Sequence, residues 1–375
     1  MKILLLGQLV ISTKLIIALK KTELDFSILS TETKPISKQI LANPFFDQTN
    51  YKGRFYNFFK LQQAKYTRFL FAFPFVANII PSRFLNSLTS TLKTDNPDLI
   101  IGNWGVGILP EINLIKSLSG FKKKPMVLNM ETFPTGWNSK IREYLELLFL
   151  KFSFKNIDGL IIPTNEMYDL LISHNIPLQK KKIYKSPFYF DMSHFGESKT
   201  KEVLPKYDLI FFGKPDLFRS LNSVQGQLRG LADAGITIGC SQLFEIEHAN
   251  IHSFQPFDIY DSSIDFLKIS ERYKAALVTF NTDGNYHPVR FNTSLPHRFL
   301  LPLALKLPIA VPAKGFGAIG SLIEKFGIGF LYDSAKQLKE YLHSTKVDTS
   351  RSNIIQNKTD LDFNAESFKN YLAEF

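Results

Sequence analysis

The sequence predicts an α/β protein with two parallel-sheet units in tandem, and three observations carry that expectation. Short apolar runs that read as strands alternate with longer amphipathic runs that read as helices, the pattern of parallel sheets with helical crossovers. The chain has 375 residues, long enough for two separate cores. Between two such alternating series lies Ser186-Pro-Phe-Tyr-Phe-Asp191 followed by a polar stretch over 197–206, which reads as a linker.

Residues 2–6 form the expected first strand, closing at Gly7, with a helix over 12–20. A signal peptide fits these residues less well, because the apolar run is short, holds Gly7 and lacks a small-residue cleavage site. Asp98-Leu-Ile-Ile-Gly102 is a strand announced by Pro97, and 125–130 is the next, running into a loop over 131–138. Residues 139–154 form a helix with Arg142, Glu143 and Glu146 assigned to its wet side. Asp158-Gly-Leu-Ile-Ile-Pro163 is another strand, and 166–173 a short helix. The second series opens with a strand over 207–213 and continues with strands at 235–239 and 275–280. In 295–324, Pro296 suits a first helical turn, Phe299 to Leu305 supply an apolar face, and 309–311 is a strand buried on both faces. Gly315, Gly317 and Gly320 then permit a tight turn into a further helix. Leu361, Phe363, Phe368, Tyr371 and Leu372 mark an amphipathic helix at the carboxyl end.

Composition narrows the function classes. Hydrophobic residues at 45% and charged residues at 21% suit a globular protein and argue against long disorder. Cys240 is the single cysteine, so no internal disulfide forms and a reducing, cytoplasmic setting is expected. The net charge of +11 points to anionic partners: nucleotide phosphates, a lipid surface or nucleic acid. Between Asp47 and Asp95 there is no acidic residue, while Lys52, Arg54, Lys60, Lys65, Arg68, Arg83 and Lys93 are interleaved with many Phe and Tyr. That mixture suits an anionic membrane surface, peripherally on the inner face. Single-stranded nucleic acid uses the same ingredients, but no RNA-binding signature accompanies them, so nucleic acid is not an expected partner. No apolar run reaches the ~18–20 residues that span a bilayer. Walker, Gly-x-Ser-x-Gly and zinc-ribbon patterns are absent, and no cofactor is expected.

A helix, a buried strand, a glycine turn and a second helix place backbone N–H groups at the carboxyl edge of a parallel sheet, where α/β folds bind nucleotides. The stretch over 295–324 resembles the nucleotide-sugar segment of glycosyltransferases with the GT-B fold. Pro296, Arg298, Ala304, Pro308 and Ala318-Ile319-x-x-Leu322-Ile323 match that family's pattern. Two positions depart from it. Leu301 stands where the family has the glutamate that holds the donor ribose, and Lys306 stands where it has glycine. The strand phrases at 97–102 and 158–167, and Asp191 with Phe195, echo the same family's first domain and its end. The resemblance implies two Rossmann-like domains facing across a cleft, an acceptor domain over 1–188 and a nucleotide-sugar domain over 189–355. A helix over 356–375 would cross back to the first domain. It also implies transfer of a sugar from a nucleotide-sugar donor to a carbohydrate or lipid-linked acceptor, in surface polysaccharide or glycolipid synthesis. The alternative is a GT-B-like protein that binds the nucleotide sugar with little or no turnover, which Leu301 favours.

Candidate site residues follow from both lines. Gly213 and Lys214 follow a strand, with Arg219 nearby; the resemblance assigns this loop, together with Arg298 and Gly317, to the donor diphosphate, where cations offset leaving-group charge. Glu324 is the nearest carboxylate in sequence to replace the missing ribose partner. Glu131, just after a strand, is a candidate to orient or deprotonate an acceptor hydroxyl. Asp283 lies in a loop with His287 and Arg290, placed by the resemblance beside the transferred sugar. Trp104, in a weak glycine-rich loop, and Trp137 are candidates on the acceptor side. His248 and His252 stand four residues apart near Glu245 and Glu247, a thin case for a metal, and none is expected.

Overall fold

The computed structural model describes residues 1–7, 15–16, 18–30, 55–57, 89–90, 92–93, 96–104, 108–118, 120–133, 140–186, 205–213, 221–254, 268, 270–280 and 289–375. It separates into two compact units, one made of 1–189 with 364–375 and the other of 190–363.

The first unit is built on a parallel sheet in the order β3-β2-β1-β4-β5-β6-β7. Its strands are β1 (Lys2–Gly7), β2 (Asp25–Ser30), β3 (Phe55–Asn57), β4 (Leu99–Asn103), β5 (Met126–Asn129), β6 (Gly159–Ile162) and β7 (Lys182–Lys185). The central strands are apolar on both faces because helices cover both; β4, β5 and β6 are buried throughout. Helices α1 (Ile108–Ser117), α2 (Lys140–Ser153) and α3 (Asn165–Ser173) supply part of that cover, and Thr164 caps α3 by accepting from the Met167 amide. Glu143 does not lie on a wet face of α2 as expected. It is half-buried, and burial, followed by the neighbouring Glu146 charge, raises its pKa.

The second unit repeats the plan with six parallel strands in the order β10-β9-β8-β11-β12-β13. They are β8 (Tyr207–Phe211), β9 (Ile238–Ser241), β10 (Ile251–Phe254), β11 (Tyr273–Leu277), β12 (Ile309–Pro312) and β13 (Gly329–Tyr332). The helices described here are α4 (Leu221–Asp233), α5 (Arg290–Thr293), α6 (His297–Ala304), α7 (Gly317–Phe326), α8 (Ala335–Leu342), α9 (Lys346–Gln356) and α10 (Lys358–Leu361). The strand expected at 235–239 starts later, at Ile238. Gly235 adopts φ +81° and ends α4, and the Thr237 amide and hydroxyl both donate to the Asp208 carboxylate at 2.9 Å. The chain is still turning there.

The terminal helix α11 (Ala365–Ala373) packs on the first unit, as the fold class requires. Asn364 caps it, accepting from the Ser367 amide at 2.8 Å. The Tyr371 hydroxyl donates to the Leu160 carbonyl at 3.0 Å, and Phe368 is fully buried. Gly159 leaves room for Tyr371 and Phe375, since a Cβ there would meet both rings. Residues 356–363 stay with the second unit. No helix among the described residues is long and apolar enough to cross a membrane.

Candidate functional site

In each sheet the strand order reverses once: between β1 and β4 in the first, and between β8 and β11 in the second. Ligands of open α/β sheets bind outside the carboxyl ends of the strands at such a switch point.

The switch point of the second sheet is occupied by an arginine held among rings. Arg298, in the first turn of α6, donates to the Thr279 carbonyl beyond β11 at 2.9 Å. Its guanidinium carbon lies 4.4 Å from the centroid of the Phe280 ring and 5.4 Å from that of Phe211, the last residue of β8. Phe280 stacks on Phe291 of α5 at 4.2 Å and on Phe316, before α7, at 5.7 Å. Gln227 of α4 ties the same strand end down, donating to the Phe280 carbonyl at 2.9 Å and accepting from the Thr279 hydroxyl. Arg298 is thus committed to the wall of the site. A cation between two rings and a carbonyl is held more firmly than one in water.

Gly213 and Gly317 join the same cluster. A Cβ at Gly213 would overlap the Phe211 ring, so the glycine is required for packing behind the wall. After β12, Gly315 turns the chain with φ +87° and delivers Gly317 to the start of α7, where its exposed amide donates to the Asn292 side chain at 3.2 Å. Lys314, exposed in that turn, makes no hydrogen bond or ion pair with the described residues. Lys314 and Asn292 were not among the expected site residues. The signal for Lys314 was its place in Ala-Lys-Gly-Phe-Gly, beside the turning glycine; Asn292 had none. Glu324 is exposed on α7, seven residues beyond Gly317, about 10 Å along the helix at 1.5 Å per residue.

Leu301 and Lys306, the two departures from the resembled pattern, now have physical explanations. Leu301 is 1% exposed and packs with Tyr207, Ile210, Tyr273, Ala276, Leu305 and Leu307 against the sheet. A carboxylate would have no place there, so the position belongs to the core. Lys306 has φ +58°, and its amide and that of Leu307 close the end of α6 onto the Leu303 and Pro302 carbonyls at 3.0 and 2.9 Å. This is the left-handed cap that glycine adopts most easily.

The carboxyl edge of the first sheet is polar. The Asn129 side chain, at the end of β5, donates to the Asn103 carboxamide at the end of β4 and lies 3.4 Å from the Glu131 carboxylate. Trp104 follows β4, is 5% exposed, and meets Phe133 edge-on at 5.8 Å. Asn103 Nδ2 and Trp104 Nε1 are both buried donors without a hydrogen-bond partner among the described residues. Such atoms are scarce in folded proteins, since each costs about 1–3 kcal/mol. Glu131 is half-buried beside them.

Lys214, Arg219, Trp137, Asp283 and His287 lie outside the described residues, as does nearly all of the basic aromatic run over 51–93. The two histidines do not form a metal pair: His248 faces Asp233 at 3.1 Å, whereas the His252 ring lies tilted against Tyr207, with centroids 4.1 Å apart. Among the described residues no group of three or more His, Cys, Asp or Glu is placed to hold a metal ion. Cys240 is buried, and burial pushes its pKa up to about 11, a structural thiol and not a nucleophile.

No family model and no curated protein matches the sequence. Solved structures do match the fold. Anabaena HepE in complex with UDP aligns over 100% of this chain and 99% of its own, with a TM-score of 0.66 and 14% identity. A UDP-glucosyltransferase from Polygonum tinctorium aligns over 99% and 98%, with a TM-score of 0.55 and 11% identity. UDP-N-acetylglucosamine 2-epimerase from Rickettsia bellii aligns over 99% and 98%, with a TM-score of 0.54 and 12% identity. The chain therefore has the two-unit α/β architecture of GT-B proteins, the fold that glycosyltransferases share with this epimerase.

Proposed function

We propose that the protein is a glycosyltransferase that binds a nucleotide-sugar donor on its second unit and a carbohydrate or lipid-linked acceptor on its first. The observation that carries this reading is the switch point of the second sheet. There a ring-lined wall, a glycine turn, the exposed Lys314 and the start of α7 converge at the carboxyl ends of β8, β11 and β12. The half-buried Phe280 ring suits a base or sugar face, with the buried Phe211, Phe291 and Phe316 rings behind it, while a lysine beside a helix start suits a diphosphate. In this reading Lys314 meets the charge that grows on the departing nucleoside diphosphate, and Arg298 shapes the wall against which the donor lies. Lys214 and Arg219 remain proposed donor contacts, and Asp283 a proposed contact to the transferred sugar.

On the first unit, Glu131 is the proposed acceptor base. A carboxylate within reach of a hydroxyl takes its proton as the oxygen attacks the anomeric carbon, and the bond to the diphosphate breaks with its electrons leaving on the nucleotide. Asn103 and Trp104 have donors to spare for acceptor oxygens. A place in surface polysaccharide or glycolipid synthesis suits the basic chain and a lipid-linked acceptor.

A second reading, nucleotide-sugar binding without turnover, is favoured by Arg298 being committed to the wall and by Leu301 standing in the core. The test is a thermal-shift panel of uridine, guanosine and cytidine diphosphates, followed by incubation of the matching hexose conjugate with and without acceptors. A bound nucleotide raises the melting temperature by mass action, by about 2.7 kcal/mol of stability at a hundredfold excess over Kd. Acceptor-dependent release of nucleoside diphosphate supports transfer; a shift without release supports the binder. A sugar epimerised without acceptor, or no shift with any nucleotide, refutes both.

A further inference from the structure

Besides Leu147, Phe149 and Leu150, which pack on the core, helix α2 carries a second apolar stripe that faces outward, and we propose that this face docks on an anionic lipid surface. Ile141 is 74% exposed, Tyr144 64% and Phe152 47%, half of the large hydrophobic residues exposed among the described residues. Leu145 and Leu148, both half-buried, fill the spaces between them. At 100° per residue, Ile141, Leu145, Leu148 and Phe152 fall within an arc of about 60°, and Leu150, fully buried in the core, lies about 180° from Ile141. The stripe therefore points directly away from the sheet.

Charge follows the opposite order from that of an ordinary surface helix. Glu143 and Glu146 sit on the side nearer the core, at a cost that burial of Glu143 makes visible in its raised pKa. Lys140 and Lys151 lie along one side of the stripe, and Lys155 just beyond its end; all three are exposed. An apolar outer face edged by lysines, with aromatic rings and with the carboxylates withdrawn, matches an interfacial helix whose apolar residues enter the headgroup boundary. The lysines then stand at phosphate depth, within a Debye length of the anionic charge. A second protein copy fits less well. The stripe is about 16 Å long, and one helix face of that length falls well short of the ≈ 800 Å² per partner that a stable pair buries. The proposal does not depend on the activity proposed above.

The test is co-sedimentation of the full chain with phosphatidylcholine vesicles, with and without phosphatidylglycerol, at low and high salt. Two variants are compared with the parent: Ile141→Ser with Tyr144→Ser and Phe152→Ser, and Lys140→Gln with Lys151→Gln and Lys155→Gln. The parent is expected to sediment with the anionic vesicles and to be released at high salt. The serine variant is expected to bind at least about tenfold less, and the glutamine variant to lose its preference for anionic vesicles. Both should keep the parent's melting temperature and nucleotide response, which separates failure here from failure of the transferase reading. Parent binding to neither vesicle, equal binding by parent and serine variant, or a melting temperature that falls in the serine variant would overturn the proposal. So would a parent dimer, seen by sedimentation velocity, that the serine variant abolishes.

Discussion

At the switch point of the second sheet, Arg298 has its guanidinium taken up by the Thr279 carbonyl and the rings of Phe211 and Phe280. At the carboxyl edge of the first sheet, Asn103 and Trp104 keep buried donors that no described residue satisfies. The two edges share a topology and divide the labour of a binding protein differently. At one, the guanidinium is already matched to protein groups, so in the proposed reading ligand contact falls to the exposed Lys314. The other holds hydrogen-bonding capacity in reserve at an energetic cost, a feature that functional sites retain and cores eliminate. A basic residue in a motif is therefore not by itself an anion contact: the local partners decide whether its charge is available.

The largest effect that bears on this contrast is expected from Leu301→Glu. It would bury a carboxylate without a partner and cost about 3–5 kcal/mol in urea unfolding. A folded variant of undiminished stability and higher nucleotide affinity would return Leu301 to the ribose pocket and break the assignment of that helix face to the core. Arg298→Ala comes next, at about 2–3 kcal/mol of stability, from a lost charge-assisted hydrogen bond and two ring contacts. Lys314→Ala sharpens the same point. It should leave the melting temperature unchanged while weakening nucleoside diphosphate binding by about 1–2 kcal/mol, read by calorimetry. Were the pattern reversed between these two variants, Arg298 would be the phosphate contact and Lys314 a solvated loop residue.

At the first edge, Asn129→Ala removes the donor shared by Asn103 and Glu131. It should cost about 1 kcal/mol of stability and, if Glu131 is the acceptor base as proposed, lower kcat by leaving that carboxylate unpositioned. An unchanged kcat would count against Glu131 as the base. A gain in place of a loss is expected from Lys306→Gly, about 1 kcal/mol as strain leaves the left-handed cap.

The amino edge of the second sheet supplies a control by pH. Burial raises the Asp208 pKa, but the bond from Lys274 at 2.8 Å and those from the Thr237 amide and hydroxyl outweigh it, leaving the carboxyl below its ordinary range. A depressed folded pKa contributes stability that is fully present above the unfolded value, near pH 4, and is lost as pH falls through the folded one. Unfolding free energy should thus decline with acidification below about pH 4, and Asp208→Asn should flatten that decline.

Legibility from sequence followed burial. The central strands β1, β4, β5, β6, β8 and β12 were readable because two covered faces demand uninterrupted apolar residues. Edge strands β7 and β10, each with half-exposed or exposed positions along most of its length, were missed, because one open face admits lysine, serine and histidine. The order of elements, the break between the two series and the glycine turn before α7 are local properties of the chain, set by hydrophobic period and turn chemistry. Gly213 also has a packing reason that the sequence did not show: a Cβ there would meet the Phe211 ring. The exposed stripe of α2 was read as an ordinary amphipathic helix, since periodicity reports that a face is apolar but not which side the sheet takes. The sequence by itself determined an α/β chain in two parallel-sheet series. Tertiary structure alone decided that Arg298 is bound into a wall, that Leu301 is core and that one buried donor each of Asn103 and Trp104 finds no partner among the described residues. Each of those depends on which strand ends become neighbours where the sheet order reverses, and that adjacency joins residues far apart in the chain.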